Sequence, residues 1–203
     1  MKKLLFLSLV ILAYQGVRSQ EIYLQTGKNY TQYDYKSDTN NPPSLQAGTG
    51  NFYEIGYITN LNNEKLKYAI GLNVNEFNAI GGDNNDSYSW NTQYLGLQNT
   101  FSIAFINKSG FEVAANAGLG ISSLIYGKQN SNGHYLDLSS QKEFSGLWVA
   151  PKLGLQASYN VKNDIFLSLG YGYSRNLNLS NSTPEKLSFN NNQIQFGVHF
   201  LFR

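Results

Sequence analysis

Hydrophobic and polar residues alternate along most of the chain beyond residue 20, and a period of two is typical of β-strands with one apolar face. The clearest case is the last segment, QIQFGVHFLFR (193–203), in which large apolar residues occupy every second position: Ile194, Phe196, Val198, Phe200 and Phe202. Seven earlier segments of this kind begin near residues 21, 52, 66, 95, 111, 147 and 165, and no segment has the period of an amphipathic helix. The pattern predicts an all-β protein with eight strands.

The connections between these segments alternate strictly between short and long. The short ones are LNNEK (61–65), NKSG (107–110) and KND (162–164). The long ones are rich in Asn, Ser and Gly, and we expect them to be loops at 36–51, 78–93, 127–146 and 175–191. In an up-and-down barrel every second connection lies at the same end, so all long loops would share one end, as in bacterial outer-membrane barrels. A Greek-key sandwich gives no reason for such sorting.

The two faces of the strands indicate which side meets which solvent. One face carries Leu, Ile, Val, Phe and Tyr, and the other carries mostly Gly, Ala, Ser, Asn and Gln. An eight-stranded barrel has an interior just wide enough for side chains, which suits the small polar face. We therefore expect an eight-stranded antiparallel up-and-down transmembrane β-barrel, with Leu72, Phe101, Leu155 and Phe196 pointing toward lipid. The alternative, a soluble lipocalin-like carrier, would have these four side chains converge inside.

The first residues have the features of a secretory signal peptide. Lys2 and Lys3 precede an apolar run over residues 4–14 that is too short to span a bilayer as a helix. We expect a signal peptide over 1–19 and an outer-membrane barrel domain over 20–203. Without the signal the formal charge changes from +2 to −1, so no basic patch for nucleic acid is expected. The absence of Cys excludes disulfides, thiol catalysis and a lipoprotein anchor.

In strand number, loop order, polar interior and aromatic last strand, residues 20–203 resemble the small outer-membrane β-barrel family that includes the OmpA barrel and OmpX. The Asn- and Tyr-rich loops resemble those of barrels from Bacteroidota. The resemblance implies a monomer in contact with outer-membrane lipid and lipopolysaccharide, and recognition of residues 194–203 by the barrel-assembly machinery. It also implies an extracellular ligand of unknown kind for the loops. One departure is that Arg203 follows Phe202, so the aromatic residue is penultimate.

Polar residues on the inward face are the candidate site of this barrel. Alternation places eight of them inside: Glu54, Lys67, Gln98, Glu112, Lys152, Gln156, Gln195 and His199. We expect a salt-bridged and hydrogen-bonded network that fills the lumen, because buried charges persist only when they are paired. A proton path or a conducting pore is the alternative.

Catalytic, cofactor and metal sites are not expected. His134 and His199 are far apart in the pattern, which makes a metal pair or a His–Ser arrangement between them unfavourable. Some outer-membrane barrels are lipid A deacylases with a His and a Ser near the outer rim, but the comparable segment here, residues 173–176, contains no His. Asp83 and Asp86 could bind calcium, although a solvated loop tip is the simpler interpretation. A lipid-modifying enzyme stays open as an alternative to a structural or adhesive, non-enzymatic role.

Aromatic residues fall near both ends of the predicted strands, as the two interfacial girdles of a transmembrane barrel do. The long-loop group is Tyr88, Trp90, Tyr126, Trp148, Tyr171 and Tyr173, and the short-turn group is Phe105, Phe111, Tyr159, Phe200 and Phe202. Pro151 lies within the sixth strand and lacks the N–H that a ladder requires. We predict a β-bulge there.

Overall fold

A computed structural model describes residues 20–36, 45–62, 65–82, 87–131, 133–180 and 186–202. These residues form ten strands: β1 Gln20–Lys36, β2 Leu45–Asn62, β3 Leu66–Glu76, β4 Ala79–Gly82, β5 Ser87–Lys108, β6 Phe111–Ser131, β7 His134–Asp137, β8 Leu147–Lys162, β9 Ile165–Asn178 and β10 Lys186–Phe202. The described part of the chain has no helix that is long and apolar enough to cross a membrane. The predicted signal peptide, residues 1–19, lies outside the described residues.

The strands close into one antiparallel ring. β3 and β4 both pair with β2 and β5, so they form a single wall strand that is interrupted at Phe77 and Asn78. β7 pairs with β6 at the loop end. The ring closes between the first and the last strand, in register from Gln20↔Phe202 to Lys36↔Lys186. With β3 and β4 counted as one, the wall has eight strands, which confirms the predicted architecture.

The large apolar side chains of the wall point outward. Leu72, Phe101, Leu155 and Phe196 are 48, 50, 55 and 48% exposed, whereas the inward Gln98 and Gln195 are buried. Lipid-facing and lumen-facing residues alternate in this way in transmembrane barrels, whose closed sheet leaves no backbone edge unpaired in hydrocarbon. A soluble carrier would require the opposite orientation of these four side chains.

The strands extend further toward the long loops than the alternation predicts. β2 begins at Leu45, β6 continues to Ser131 and β10 begins at Lys186, so much of the segments predicted as loops is strand. The cause is an inversion of the hydrophobic face. In this region Tyr33 and Phe189 point inward and are buried, whereas Asp34 is exposed. Water on the outside favours polar outward residues, so these extensions lack the apolar outward face that marks the lower wall.

The predicted bulge at Pro151 is wrong. Pro151 pairs with Leu119 of β6, and the register continues unchanged to Ala150 and Lys152 on either side. On the β9 side the pairing skips Ala150 and Pro151, but the register is the same from Val149↔Leu177 to Lys152↔Ser174. The missing N–H therefore removes pairing toward β9 without adding a residue to β8.

The short turns define one end of the barrel, which we call the turn end, and the long connections define the loop end. Lys108 pairs with Phe111, so the β5–β6 turn has two central residues, Ser109 and Gly110, with φ of 51° and 79°. Two-residue hairpins favour turns with positive φ at both positions, because their twist matches that of the strands. Glycine adopts this conformation without strain.

Candidate functional site

The barrel interior is layered from the loop end to the turn end. Along β10 the inward residues are first aromatic and aliphatic, Phe189 and Leu187, then amides, Gln193 and Gln195, and finally His199, and all of them are buried. The buried inward residues of β1 are, from the loop end, Tyr33, Thr31, Asn29 and Tyr23. The interior therefore has three layers of different chemistry.

An aromatic core fills the loop end. It comprises Tyr33, Phe77, Ala79, Trp90, Tyr94, Leu138, Phe144, Trp148, Leu187 and Phe189. The ring centroids of Phe77 and Phe189 are 4.6 Å apart, those of Trp148 and Phe189 are 5.1 Å apart, and Trp90 meets Phe144 edge to face at 4.9 Å. Each such aromatic pair contributes about 0.5–1.5 kcal/mol beyond the burial of its area. This end of the barrel is packed like the core of a soluble domain.

Part of the third long connection folds over the aromatic core. Residues 138–146 form turns, and Leu138 and Phe144 insert their side chains into the core. The indole N–H of Trp148 donates to the Phe144 carbonyl at 2.9 Å, and Asn178 Nδ2 donates to the carbonyls of Glu143 and Ser145 at 3.0 Å each. We call residues 138–146 the lid. Its backbone is held by side chains of β8 and β9.

The core corrects the predicted aromatic girdle at the loop end. Trp90 and Trp148 are 7% and 0% exposed and point inward, and Tyr88 is half-buried against the core. Both Trp residues occupy positions of the same parity as the inward residues of their own strands. The girdle prediction was wrong for them because it considered only their position along the barrel axis. The rest of that group is exposed: Tyr126, Tyr171 and Tyr173. At the turn end four residues are exposed and Phe200 is half-buried, the four being Phe105, Phe111, Tyr159 and Phe202.

Amide side chains form the middle layer. Asn29 is 0% exposed, and its Oδ1 accepts hydrogen bonds from Asn191 Nδ2 at 2.9 Å and Gln193 Nε2 at 2.8 Å. Its Nδ2 lies within hydrogen-bond distance of the Asn51 and Glu76 carbonyls, at 3.2 and 3.1 Å. Because each amide both donates and accepts, the layer satisfies its own polar groups across β1, β10, β2 and β3.

The predicted charged residues lie below the amides. Lys67 Nζ is 2.9 Å from Glu112 Oε1 in a salt bridge. Glu54 accepts from Tyr23 Oη at 2.6 Å and from Asn73 Nδ2 at 3.0 Å. Lys152 Nζ donates to Gln193 Oε1 at 2.6 Å and lies 5.4 Å from the centre of the Phe52 ring.

The predicted inward glutamines bond to nearby groups. Gln98 Nε2 donates to the Asn99 carbonyl at 3.0 Å, Gln156 Nε2 donates to Ser158 Oγ at 3.3 Å, and Gln195 Nε2 donates to Gln193 Oε1. Space is left between these side chains as a cavity of about 80 Å³, whose lining includes Glu21, Glu54, Lys67, Glu112 and Lys152. A polar cavity of this size holds a few water molecules.

His199 has two partners that sequence reasoning missed. Its Nε2 is 2.8 Å from Ser168 Oγ, and its Nδ1 contacts Glu21 Oε1. The imidazole also stacks on the Tyr23 ring, with the centroids 5.7 Å apart. These residues lie on β9, β10 and β1, so the set spans the seam where the barrel closes. Alternation predicts inward positions in each strand, but only the register of strands distant in sequence reveals the contact.

The order Ser–His–Glu resembles a nucleophile, base and orienting carboxylate. Ser168 is 4% exposed, however, and a Cβ added to Gly197 would lie 2.5 Å from its hydroxyl. A substrate therefore has no approach to the hydroxyl. In the segment 173–176 near the loop end, Ser174 is buried and Asn176 Nδ2 donates to its Oγ at 3.3 Å. Both serines act as hydrogen-bond partners inside the wall.

Within the described residues, no three His, Asp or Glu side chains are grouped so that they could hold a metal ion. His134 is exposed on β7 at the loop end, and His199 is buried near the turn end, so the two imidazoles do not meet. Asp83 and Asp86, the predicted calcium ligands, lie outside the described residues.

A closed eight-stranded antiparallel wall with an apolar outside and a polar, packed inside is a transmembrane β-barrel. No known family model and no curated protein matches the chain. Several solved structures, however, are similar to it. Neisserial surface protein A has a TM-score of 0.57 and 15% identity over 89% of this chain and 97% of its own. A major outer membrane protein from Thermus thermophilus has a TM-score of 0.54 and 12% identity over 92% of this chain and 100% of its own.

Outer membrane protein OprG from Pseudomonas aeruginosa has a TM-score of 0.51 and 12% identity over 92% of this chain and 98% of its own. At such identities the likeness defines the fold. The chain thus has the fold of the small outer-membrane β-barrels, which confirms the resemblance to that class, whereas the resemblance to barrels from Bacteroidota stays a prediction.

Proposed function

We propose that the protein is an integral outer-membrane barrel with a non-enzymatic role in envelope structure and surface display, and that its interior is closed to solutes. The observation that carries the proposal is the aromatic core under its lid. Ten buried residues occupy the loop end, and Tyr94 and Trp148 are each 0% exposed. Passage of an ion along the axis would require this core to unpack.

The middle layer supports the same proposal. Asn29, Asn191 and Gln193 bridge β1, β10 and β3 by direct hydrogen bonds, and Gln193 also donates to Asn75 Oδ1 at 3.3 Å. The charges below are held by partners on other strands, as with Lys67 on β3 and Glu112 on β6, one strand apart in the wall. The polar groups are thus used to tie strands together rather than to line a continuous channel.

Surface display is supported by the wall extensions beyond the apolar band. β6 and β7 form a hairpin whose four β7 residues are all exposed, and Tyr135 is 72% exposed. The partners that we propose are outer-membrane lipid and lipopolysaccharide around the wall and an unidentified extracellular ligand at the loops. The barrel-assembly machinery would recognise residues 194–203, of which 194–202 form the end of β10. We propose that the barrel is a monomer.

Two measurements on the full-length protein test this proposal. Fractionation followed by gels of boiled and unboiled samples should place the protein in the outer membrane with a heat-dependent mobility. In planar bilayers the purified barrel should give no unitary conductance. As a positive control, a water-filled porin reconstituted in the same bilayers should give steady current. Steady conductance of the wild-type protein would overturn the closed interior, and recovery in the soluble fraction would overturn the membrane assignment.

A further inference from the structure

We propose that the outer wall across β10, β1, β2, β3 and β5 binds one acylated lipid whose headgroup carries a phosphate, with an acyl chain in a groove and the phosphate on Lys28. The inference rests on the proposed membrane location and adds a specific lipid site to it.

The groove lies on the outward face of these strands. It has a volume of about 470 Å³ and an almost wholly apolar lining. Two rows of paired residues form most of it. The upper row is Phe196, Thr26, Tyr53, Val74 and Leu95, and the lower row is Val198, Leu24, Ile55 and Leu72. Thr26 is a short side chain between Phe196 and Tyr53, so the wall is recessed there. Such a recess fits a chain of methylene groups.

A polar row borders the groove on its loop-end side. It lies two residues further along the strands than the upper row. Lys28 Nζ donates to Asn51 Oδ1 at 2.6 Å, and Asn51 Nδ2 donates to Glu76 Oε2 at 2.9 Å. Gln93 Nε2 lies 3.4 Å from Glu76 Oε1 and extends the row to β5. The apolar band of these strands ends at this row, where a lipid headgroup would meet the wall.

Charge determines which headgroup fits. The Glu76 carboxylate accepts from the Asn51 backbone N–H as well as from its side chain, both at 2.9 Å, so protein donors engage its charge. The one hydrogen bond described for Lys28 Nζ uses one of its three protons. The remaining two can bind phosphate oxygens, a role that Lys fills as a point charge. Lys28 is exposed on the outer face, beside the groove.

Because the groove faces hydrocarbon, retention of a specific lipid depends strongly on the headgroup contact at Lys28. A groove in hydrocarbon gains no hydrophobic free energy from an acyl chain, because the surrounding lipid is equally apolar. Retention of one lipid therefore depends on van der Waals fit in the recess and on the headgroup contact. If either the fit in the recess or the headgroup contact is removed, the bound lipid should exchange with the bilayer as readily as any other lipid.

The test uses the full-length barrel in nanodiscs of a neutral galactolipid that contains a minor fraction of phosphatidic acid. Native mass spectrometry after release would count the phosphatidic acid molecules that remain bound. Lys28→Gln should lower retention at least several-fold, and the matched change Arg175→Gln, at an exposed cation of β9 away from the groove, should leave it unchanged. Thr26→Trp fills the recess and should also lower retention, whereas Thr59→Trp, outward on β2 but outside the groove, should not.

Retention that is equal in wild-type, Lys28→Gln and Thr26→Trp barrels would overturn the inference, as would an equal loss in Arg175→Gln. A heat-dependent gel shift for each variant separates this result from a failure of folding. If the wild-type barrel itself did not insert, the proposed function would fail rather than the lipid site. If only one of Lys28→Gln and Thr26→Trp folded, the test would rest on that variant. Phosphatidic acid retention equal to that of its matched control would overturn the inference, and lower retention would support it.

Discussion

At the scale of single residues, His199 shows how this interior is stabilised. Its two ring nitrogens contact Ser168 and Glu21 on the flanking strands, and its face covers Tyr23. Glu21 lies near the start of β1 and His199 near the end of β10, so the contact joins the two termini of the barrel. A buried polar group that loses its partner costs about 1–3 kcal/mol. This makes His199 a residue whose removal should weaken the seam.

His199→Ala is expected to lower the free energy of unfolding by about 2–4 kcal/mol, because it leaves a cavity and removes the partner of Glu21 and Ser168. Urea titration of the refolded barrel in lipid vesicles, followed by the gel shift, measures the change. His134→Ala, at an exposed position of β7, is the control and should change stability little. Equal stability of His199→Ala and wild type would show that the seam contact is dispensable.

Asp137, outside the membrane-spanning wall, gives a pH-dependent prediction. Hydrogen bonds from the Ser139 hydroxyl and the Ser139 backbone N–H lower the pKa of its carboxyl, and Lys128 contributes less. A folded-state pKa below the unfolded one means that the contribution to stability is complete above the unfolded value and is lost as pH falls through the folded value. The amide resonance of Ser139 should therefore titrate with a midpoint below that of a free Asp, and Asp137→Asn should abolish the titration. A midpoint at or above the free value would contradict the observed turn.

At the scale of strands, the same alternation of apolar and polar residues occurs with opposite orientations in the lower and upper parts of the wall. On the lower part of β10 the apolar residues Ile194 and Phe196 point outward, and on its upper part Phe189 and Leu187 point inward. The solvent outside the wall changes from lipid to water between them. A sequence pattern records the period but not the solvent, so alternation identified the eight wall strands and missed their upper extensions.

For the candidate site, the sequence predicts which positions face inward but not which side chains meet there. Parity sufficed to place Glu54, Lys152 and Gln195 on the inward face, because every second side chain of a strand faces the same way. Their partners could not be predicted, since Lys152 on β8 reaches past β9 to Gln193 on β10, 41 residues away in sequence. The aromatic core was missed for another reason. Its lid residues Leu138 and Phe144 lie in a segment without regular alternation, where only the folded chain brings them to Trp90 and Trp148.

The lid gives a prediction at this scale. Phe144→Ala removes a ring that meets Trp90 at 4.9 Å and should lower the free energy of unfolding by about 3–5 kcal/mol, the usual range for a buried Phe→Ala change. The emission of the two Trp residues, both in the core, should shift to longer wavelength as water enters. Tyr135→Ala, at a 72% exposed position, is the matched control and should leave emission unchanged. An unchanged spectrum in Phe144→Ala would mean that the lid does not seal the core.

At the scale of the whole molecule, the fold combines two kinds of protein interior in one wall. The lower barrel is inverted, with an apolar outside and a hydrogen-bonded inside, and the upper barrel has a hydrophobic core of ten residues enclosed by the wall and the lid. The amide layer around Asn29 lies between them and belongs to neither type. Closure of the wall and filling of the loop end are what the proposed structural and display role needs.

The central claim, that the wall faces lipid while the aromatic residues of the core do not, is tested most directly by quenching with brominated lipid. The chain has two Trp residues, Trp90 and Trp148, and both lie inside the barrel. In vesicles of brominated phosphatidylcholine their emission should be nearly unquenched, whereas a Trp introduced by Leu155→Trp, at a position that is 55% exposed on the outer wall, should be strongly quenched. Strong quenching of the wild-type barrel together with a protected Leu155→Trp would contradict the account.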